Sequence, residues 1–224
     1  MLPSNKFLLY DHSLRIPMVI MGPGISPNST NEFLGTQVDL APTMLGLAGI
    51  ATPPYMDGKS LVSLLVPPQN LDAAVVPPSV REHALAIGAP PSRVASFHQY
   101  YNQGPWEVGS RHPLDDWSNT YIGLHYKGPH GHLKYGVYDP CKTERLRSLH
   151  VSASAFLIGC PLAHADGKQN GFSHPQMFAL FDLDKDPYEL ANIYNATVKA
   201  NPALTSELHG LLRQFYECRG AECP

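Results

Sequence analysis

The feature that most constrains this 224-residue chain is a short apolar run, Pro17-Met18-Val19-Ile20-Met21, closed by Gly22-Pro23-Gly24. No polar residue interrupts it. A strand built from it would present apolar side chains on both faces, the pattern of a parallel sheet covered on both sides. A polar loop, Ser26–Glu32, follows. Then comes Asp39-Leu40-Ala41-Pro42-Thr43-Met44-Leu45-Gly46-Leu47-Ala48-Gly49. Asp39 can cap free N–H groups of a first turn, and Pro42 is tolerated within that turn. Leu40, Met44, Leu45 and Ala48 share one helical face, and Gly49 is a natural terminator. Strand, loop and amphipathic helix make an α/β unit.

The pattern then changes. Met56–Leu61 reads as a turn leading into a short helix that ends at Leu65. Val66–Ser79 holds Pro67-Pro68 and Pro77-Pro78 and reads as a loop or linker. The expected organisation is a first part over residues 1–66, a Pro-rich linker over 67–79, and a second part over 80–224. In the second part, Arg81–Ile87, Thr120–Tyr126, Leu133–Tyr138 and Met177–Asp182 are candidate strands of a small antiparallel sheet. The chain closes with a helix. Asn201 caps it, Pro202 fills its first position, and Leu204, Leu208, Leu211, Leu212 and Phe215 form its apolar face. Ala89–Asp116 fits no element; Tyr100, Tyr101, Trp106 and Arg111 within it read more readily as packing residues, with contact to a substrate as the alternative.

Several function classes fall away on composition. The net charge is −3 with Lys and Arg scattered, which leaves no nucleic-acid footprint. No apolar stretch is long enough to span a bilayer. Met1–Lys6 has no apolar region behind it, so a secretory signal is expected upstream if the protein is exported. No P-loop, nucleophile elbow, zincin or dinucleotide fingerprint occurs.

The four cysteines are Cys141, Cys160, Cys218 and Cys223. Cys218 and Cys223 enclose four residues, a spacing that suits a small disulfide loop. Free thiols and zinc are the other readings, and one close pair with two singles fits zinc poorly. Asn28-Ser29-Thr30 and Asn195-Ala196-Thr197 are glycosylation sequons, both in turn-like surroundings. Eleven histidines are dispersed. The tightest group, His125, His130 and His132, reads as a solvated hairpin turn, with metal ligation as the alternative. Asp182, Asp184 and Asp186 resemble the start of a calcium loop. The loop glycine and terminal Glu are missing, so a turn after a strand is the better account.

Four stretches together resemble the type I sulfatase family of the alkaline phosphatase superfamily. Lys6-Phe-Leu-Leu-Tyr10-Asp11-His12-Ser-Leu-Arg15-Ile-Pro17 is similar to the family segment Lys-x-x-x-Tyr-Glu-x-x-x-Arg-x-Pro, with Asp11 where the family has Glu, and Gly22-Pro23-Gly24 follows it. Asp39–Ile50 is similar to the family's D-x-x-P-T-x-L-x-x-A-G helix, and Met56–Leu61 to its D-G-x-S-L turn. Phe178–Asn192 resembles L-Y-D-L-x-x-D-P-x-E-x-x-N. Asn119-Thr120-Tyr121 and the Cys218–Cys223 tail lean toward the N-acetylglucosamine-6-sulfatase and arylsulfatase branch.

The resemblance implies an α/β fold: part of a sulfatase/alkaline-phosphatase-like sheet with a flanking helix, then a small antiparallel sheet packed with a C-terminal helix. Residues 1–66 would be the end of the catalytic domain. It implies a sulfuric ester hydrolase acting on sulfated glycans or aryl sulfates, lysosomal or secreted. In such enzymes a cysteine in Cys-x-Pro-Ser-Arg becomes the formylglycine nucleophile, and calcium offsets sulfate charge. Here neither Cys141 nor Cys160 is followed by that motif, and no calcium is expected to be held by these residues. Lys6 matches the lysine that contacts sulfate, a role that suits a flexible ammonium. His12 is a second candidate for reaching substrate, while Tyr10, Asp11 and Arg15 read as scaffold. The chain as written is expected to be inactive alone; the alternative is a non-catalytic sulfatase-like remnant that is structural or binds glycans.

Overall fold

The computed structural model describes residues 8–72, 74–88, 93–100, 120–139, 172 and 175–224. The chain forms two compact units. One comprises Met1–Ile16 with Phe97–Leu212, the other Pro17–Ser96 with Arg213–Pro224.

The first unit is built on a four-stranded sheet in the order β1 (Ala95–Tyr100), β2 (Tyr121–Gly128), β3 (Gly131–Tyr138), β4 (Met177–Asp182). β2 and β3 form a hairpin whose antiparallel register runs from Tyr121 opposite Tyr138 to Gly128 opposite Gly131. β4 pairs antiparallel with β3, Lys134 opposite Phe181. Side chains alternate between the faces of a strand. One face therefore carries Ile122, Leu124, Tyr126, Leu133, Tyr135, Val137 and Leu180, all buried. The closing helix α6 (Pro202–Glu217) contributes Leu208 and Leu212, both fully buried, and its His209 meets the hydroxyl of Tyr135 at 3.2 Å.

The other face carries Tyr121, Tyr138, Ala179, Phe181 and Leu183. These cluster with Leu9, while Tyr10, Leu14 and Tyr100 pack at the margin. Two glycines opposite each other on β2 and β3 make room for Leu9. A Cβ at Gly123 would lie 2.5 Å from Leu9 Cδ1, and one at Gly136 would lie 2.3 Å from Leu9 Cδ2. The one-turn helix α1 (Asp11–Leu14) follows directly.

The Asp-Pro segment after β4 explains its own residue types. Asn192 works as a substitute strand. Its side-chain oxygen accepts the Leu180 and Tyr194 N–H groups and its amide donates to the Phe178 carbonyl, covering the edge of β4 and starting α5 (Tyr194–Ala200).

The second unit is helical: α2 (Leu40–Leu47), α3 (Val62–Leu65) and α4 (Pro78–Ile87). Its core is Val62, Val66, Leu71, Val76, Val80 and Ala84. The stretch 67–79, expected to be a linker, holds a 3-10 turn at Pro68–Asn70 and supplies Leu71 and Val76 to that core. Asp39 is the hub of the unit's polar structure. Its carboxylate accepts the Thr36 and Lys59 amides at 2.8 Å each, and both ends of the Arg93 guanidinium at 2.6 and 2.9 Å. The Asp57-Gly58 turn can pass this close only because Gly58 lacks a side chain: a Cβ there would meet the Val38 carbonyl oxygen at 2.0 Å. A disulfide joins Cys218 to Cys223.

Two expectations need correction. Arg81–Ile87 is the body of a helix. Val80 and Ala84 are buried one turn apart, and the Pro77-Pro78 pair places Pro at the first helical position, where its missing N–H costs nothing. Pro17–Met21 forms no strand. A strand needs a hydrogen-bonding neighbour, and the sheet of β1 to β4 does not include this run. Val19 and Met21 are 90% and 89% exposed.

Candidate functional site

The titratable groups that converge in the first unit lie on the face occupied by Leu9. β3 places Lys134 in the middle of the sheet, directly opposite His125 of β2 and Phe181 of β4. Its side chain has no exposure at all. Such an ammonium must be neutralised. Its Nζ pairs with the Asp11 carboxylate, lies 3.2 Å from Glu189 Oε1, and donates to the Leu9 carbonyl at 3.3 Å. Glu189 also turns back to the incoming strand: its Oε2 accepts the Asp11 N–H at 2.6 Å.

Histidines border this triad. His125 Nδ1 lies 3.6 Å from Asp11, and the His125 Nε2 contacts His132 Nε2 with the rings stacked at 4.7 Å. Burial, reinforced by the Lys134 charge and opposed by Asp11, pushes the His125 imidazole down to about 4. Burial and then Lys134 push His98 of β1 down to about 3. Both rings are neutral at neutral pH. Burial alone would raise the Asp11 carboxyl, but the hydrogen bond and charge of Lys134 win and hold it below its ordinary value.

The sites anticipated from sequence are distributed otherwise. Lys6 lies outside the described residues, as do Cys141, Cys160, Tyr101, Trp106 and Arg111. His12 sits exposed on α1, stacked on Tyr10 at 5.8 Å. His130 leaves the other hairpin histidines and pairs with Glu207 at 3.0 Å. Asn28 lies exposed at a left-handed turn position, φ 50°, and Asn195 is exposed on α5. Asp182, Asp184 and Asp186 serve three different partners: Lys185, the His132 amide and the Ala191 amide. They share no ion.

Calcium asks for six to eight converging oxygens. Among the described residues no set fits. The carboxylates of Asp11 and Glu189 are committed to a buried cation, and no group of three or more His, Cys, Asp or Glu side chains is arranged to hold a metal.

The sequence reading assigned Asp11 to scaffold and missed Lys134 and Glu189. The signal was a lone lysine inside an aromatic and aliphatic strand, Leu133-Lys134-Tyr135. In the second unit Ser60 Oγ meets His83 Nε2 at 3.2 Å. Burial lowers the His83 pKa. A Cβ on Gly46 of α2 would run into both side chains, so the pair packs against the helix.

Comparison with known proteins locates the chain. Residues 4–73 match the family described as N-sulphoglucosamine sulphohydrolase, C-terminal. Arylsulfatase K of Mus musculus is 38% identical over 93 residues, 42% of this chain and 15% of that protein. N-acetylglucosamine-6-sulfatase of Homo sapiens is 41% identical over 71 residues, 31% of this chain and 13% of that protein. An arylsulfatase of Chlamydomonas reinhardtii is 28% identical along 98% of this chain, which corresponds to 28% of that protein. The chain thus spans less than a third of the length of each of these relatives. The matched stretches are similar to sulfatases, and the part of those proteins that they match is a C-terminal portion.

Proposed function

We propose that these residues are the closing part of a sulfuric ester hydrolase that cleaves sulfate esters of glycans or aryl sulfates, and that the 224-residue chain by itself does not turn over such esters. The observation that carries the reading is the match over residues 4–73, whose first segment contains Lys6. In this reading Lys6 offers its ammonium to the sulfate group, where a point charge offsets developing negative charge. His12, exposed in the same segment, is the second candidate for contact with substrate. Residues 1–66 would complete the catalytic domain, 67–79 would join the parts, and 80–224 would form the small-sheet subdomain.

The formylglycine nucleophile and calcium belong to the whole enzyme. The 224 residues supply neither the Cys-x-Pro-Ser-Arg motif nor, among those described, a fitting oxygen set. The compartment is proposed to be secretory or lysosomal, in keeping with the Cys218–Cys223 disulfide and with sugar at Asn28 and Asn195. Among the described residues no helix is long and apolar enough to cross a membrane.

The test has two arms. Transcript sequence upstream of Met1 is expected to encode an in-frame Cys-x-Pro-Ser-Arg. The purified 224-residue chain is expected to leave an aryl sulfate unhydrolysed. Turnover by that chain would refute the inactivity, and an upstream frame without the motif would refute the hydrolase reading.

A further inference from the structure

We infer that Lys134 is a positioning residue: with Glu189 it fixes Leu9–Asp11, the stretch that follows Lys6, on the face of the small sheet. The inference rests on the sulfatase reading for what that stretch carries, and on geometry for the clamp itself.

Three observations converge on two residues, Leu9 and Asp11. The Leu9 side chain fills the space left by Gly123 and Gly136. The Leu9 carbonyl accepts from Lys134 Nζ. Asp11 is held twice, its carboxylate by Lys134 and its N–H by Glu189. The side chain, the carbonyl and the next-but-one amide are all fixed, so the backbone has no freedom to slide or rotate on the sheet.

The clamp is costly to build. Lys134 and Glu189 are buried to 0% and 2% side-chain exposure, and desolvating both ions is a large penalty that a hydrophobic contact would avoid. Glu189 is also one of three described non-glycine residues with a positive φ, 56°, a conformation that strains an L-residue. An apolar plug would hold the segment as firmly. What ions and strained backbone add is a single register, the best attested use of buried charge. A register matters where the Lys6 side chain, just upstream of Leu9, must meet a small anion, because misplacement by about 1 Å costs roughly a hundredfold in rate.

Hydrogen–deuterium exchange on the full chain tests this without any sulfate ester. In Lys134→Met, which keeps the stem and removes the charge, exchange of the Asp11 amide is expected to accelerate about tenfold or more while amides of β2, β3 and β4 keep their protection. If Lys134→Met does not fold, Asp11→Asn carries the test and is expected to show the same local acceleration. Asp11→Glu, which retains the carboxylate, is expected to restore protection. That charge-dependent rescue separates register control from simple packing. Unchanged exchange at Asp11 in a folded Lys134→Met or Asp11→Asn, or equal acceleration in Asp11→Asn and Asp11→Glu, would overturn the inference. Failure of the sulfatase reading would show only in the upstream sequence and leave these exchange rates as they are.

Discussion

Replacing Asp39 with Ala should destabilise the helical unit more than any other single change to its polar structure. Asp39 has no exposed surface, and Arg93 retains only 4% side-chain exposure beside it. Removing one member of a buried ion pair costs about 3–5 kcal/mol, because the other charge stays buried and unpaired. The Thr36 and Lys59 amides lose their acceptor as well, at about 1–3 kcal/mol for each group that stays dry. These losses overlap, since the vacated space admits water, and Arg93 keeps the Leu34 carbonyl at 3.2 Å. We expect a net loss of about 4 kcal/mol. That is a large share of the stability of an ordinary domain, about 5–15 kcal/mol. The double variant Asp39→Ala/Arg93→Met removes the orphaned charge and should recover about 2 kcal/mol relative to the single. Urea unfolding followed by far-ultraviolet circular dichroism measures both. A loss below about 1 kcal/mol for the single variant, or identical midpoints for single and double, would refute the assignment of Asp39 as hub.

The same carboxyl sets an acid limit. Burial pushes it up, but hydrogen bonds from Arg93, Lys59 and Thr36 prevail and hold it below 3.8. Its contribution is complete above 3.8 and is lost as pH falls through the depressed folded value. The buried histidines act earlier. His125 and His98 titrate at about 4 and about 3 when folded, against 6.5 when unfolded, so the unfolded chain binds more protons below 6.5. Stability of the sheet unit should therefore fall from about pH 6.5 downward, by up to about 1.4 kcal/mol per histidine per pH unit, and His98→Gln should flatten the profile. On the sheet, Leu9→Ala should cost about 2–5 kcal/mol, and Gly136→Ala should be harmful with Leu9 present but nearly neutral in Leu9→Ala; equal effects in both backgrounds would count against the fit. Reducing Cys218–Cys223 should cost only about 2 kcal/mol, since the loop is short; intact mass after alkylation, with and without reductant, reports the bond. Exposed Val19 and Met21 should drive self-association, and Val19→Lys/Met21→Lys should lower light scattering at equal concentration.

Alternation made the sheet readable. Thr120–Tyr126, Leu133–Tyr138 and Met177–Asp182 fall on β2, β3 and β4, and Asn201-Pro202 marks the start of α6. The hairpin ends were less legible, because Lys127 and Gly128 continue the ladder with polar or absent side chains. α4 was misread since Arg81–Ile87 is too short to separate a twofold from a helical period, and the prolines before it signal a linker and a helix start equally well. The Asp11–Lys134–Glu189 triad was hidden for a different reason. Each member is an ordinary polar residue in its own segment, and only the docking of distant segments reveals the pairing. Pro17–Met21 shows the opposite case. Its pattern asks for burial on both faces, and none of the described strands pairs with it to meet that demand.

The seat of Leu9 between Gly123 and Gly136 also has a consequence in time. Lys134, which closes over this stretch, is made 125 residues after Leu9. At about 5–20 residues per second, translation leaves Leu9 without its socket for roughly 6–25 s. Closing a loop of that length then costs about 4 kcal/mol of chain entropy before any contact is gained. Leu9 and its neighbours are therefore made well before the strands that seat them, and for that interval a holding chaperone has an apolar target.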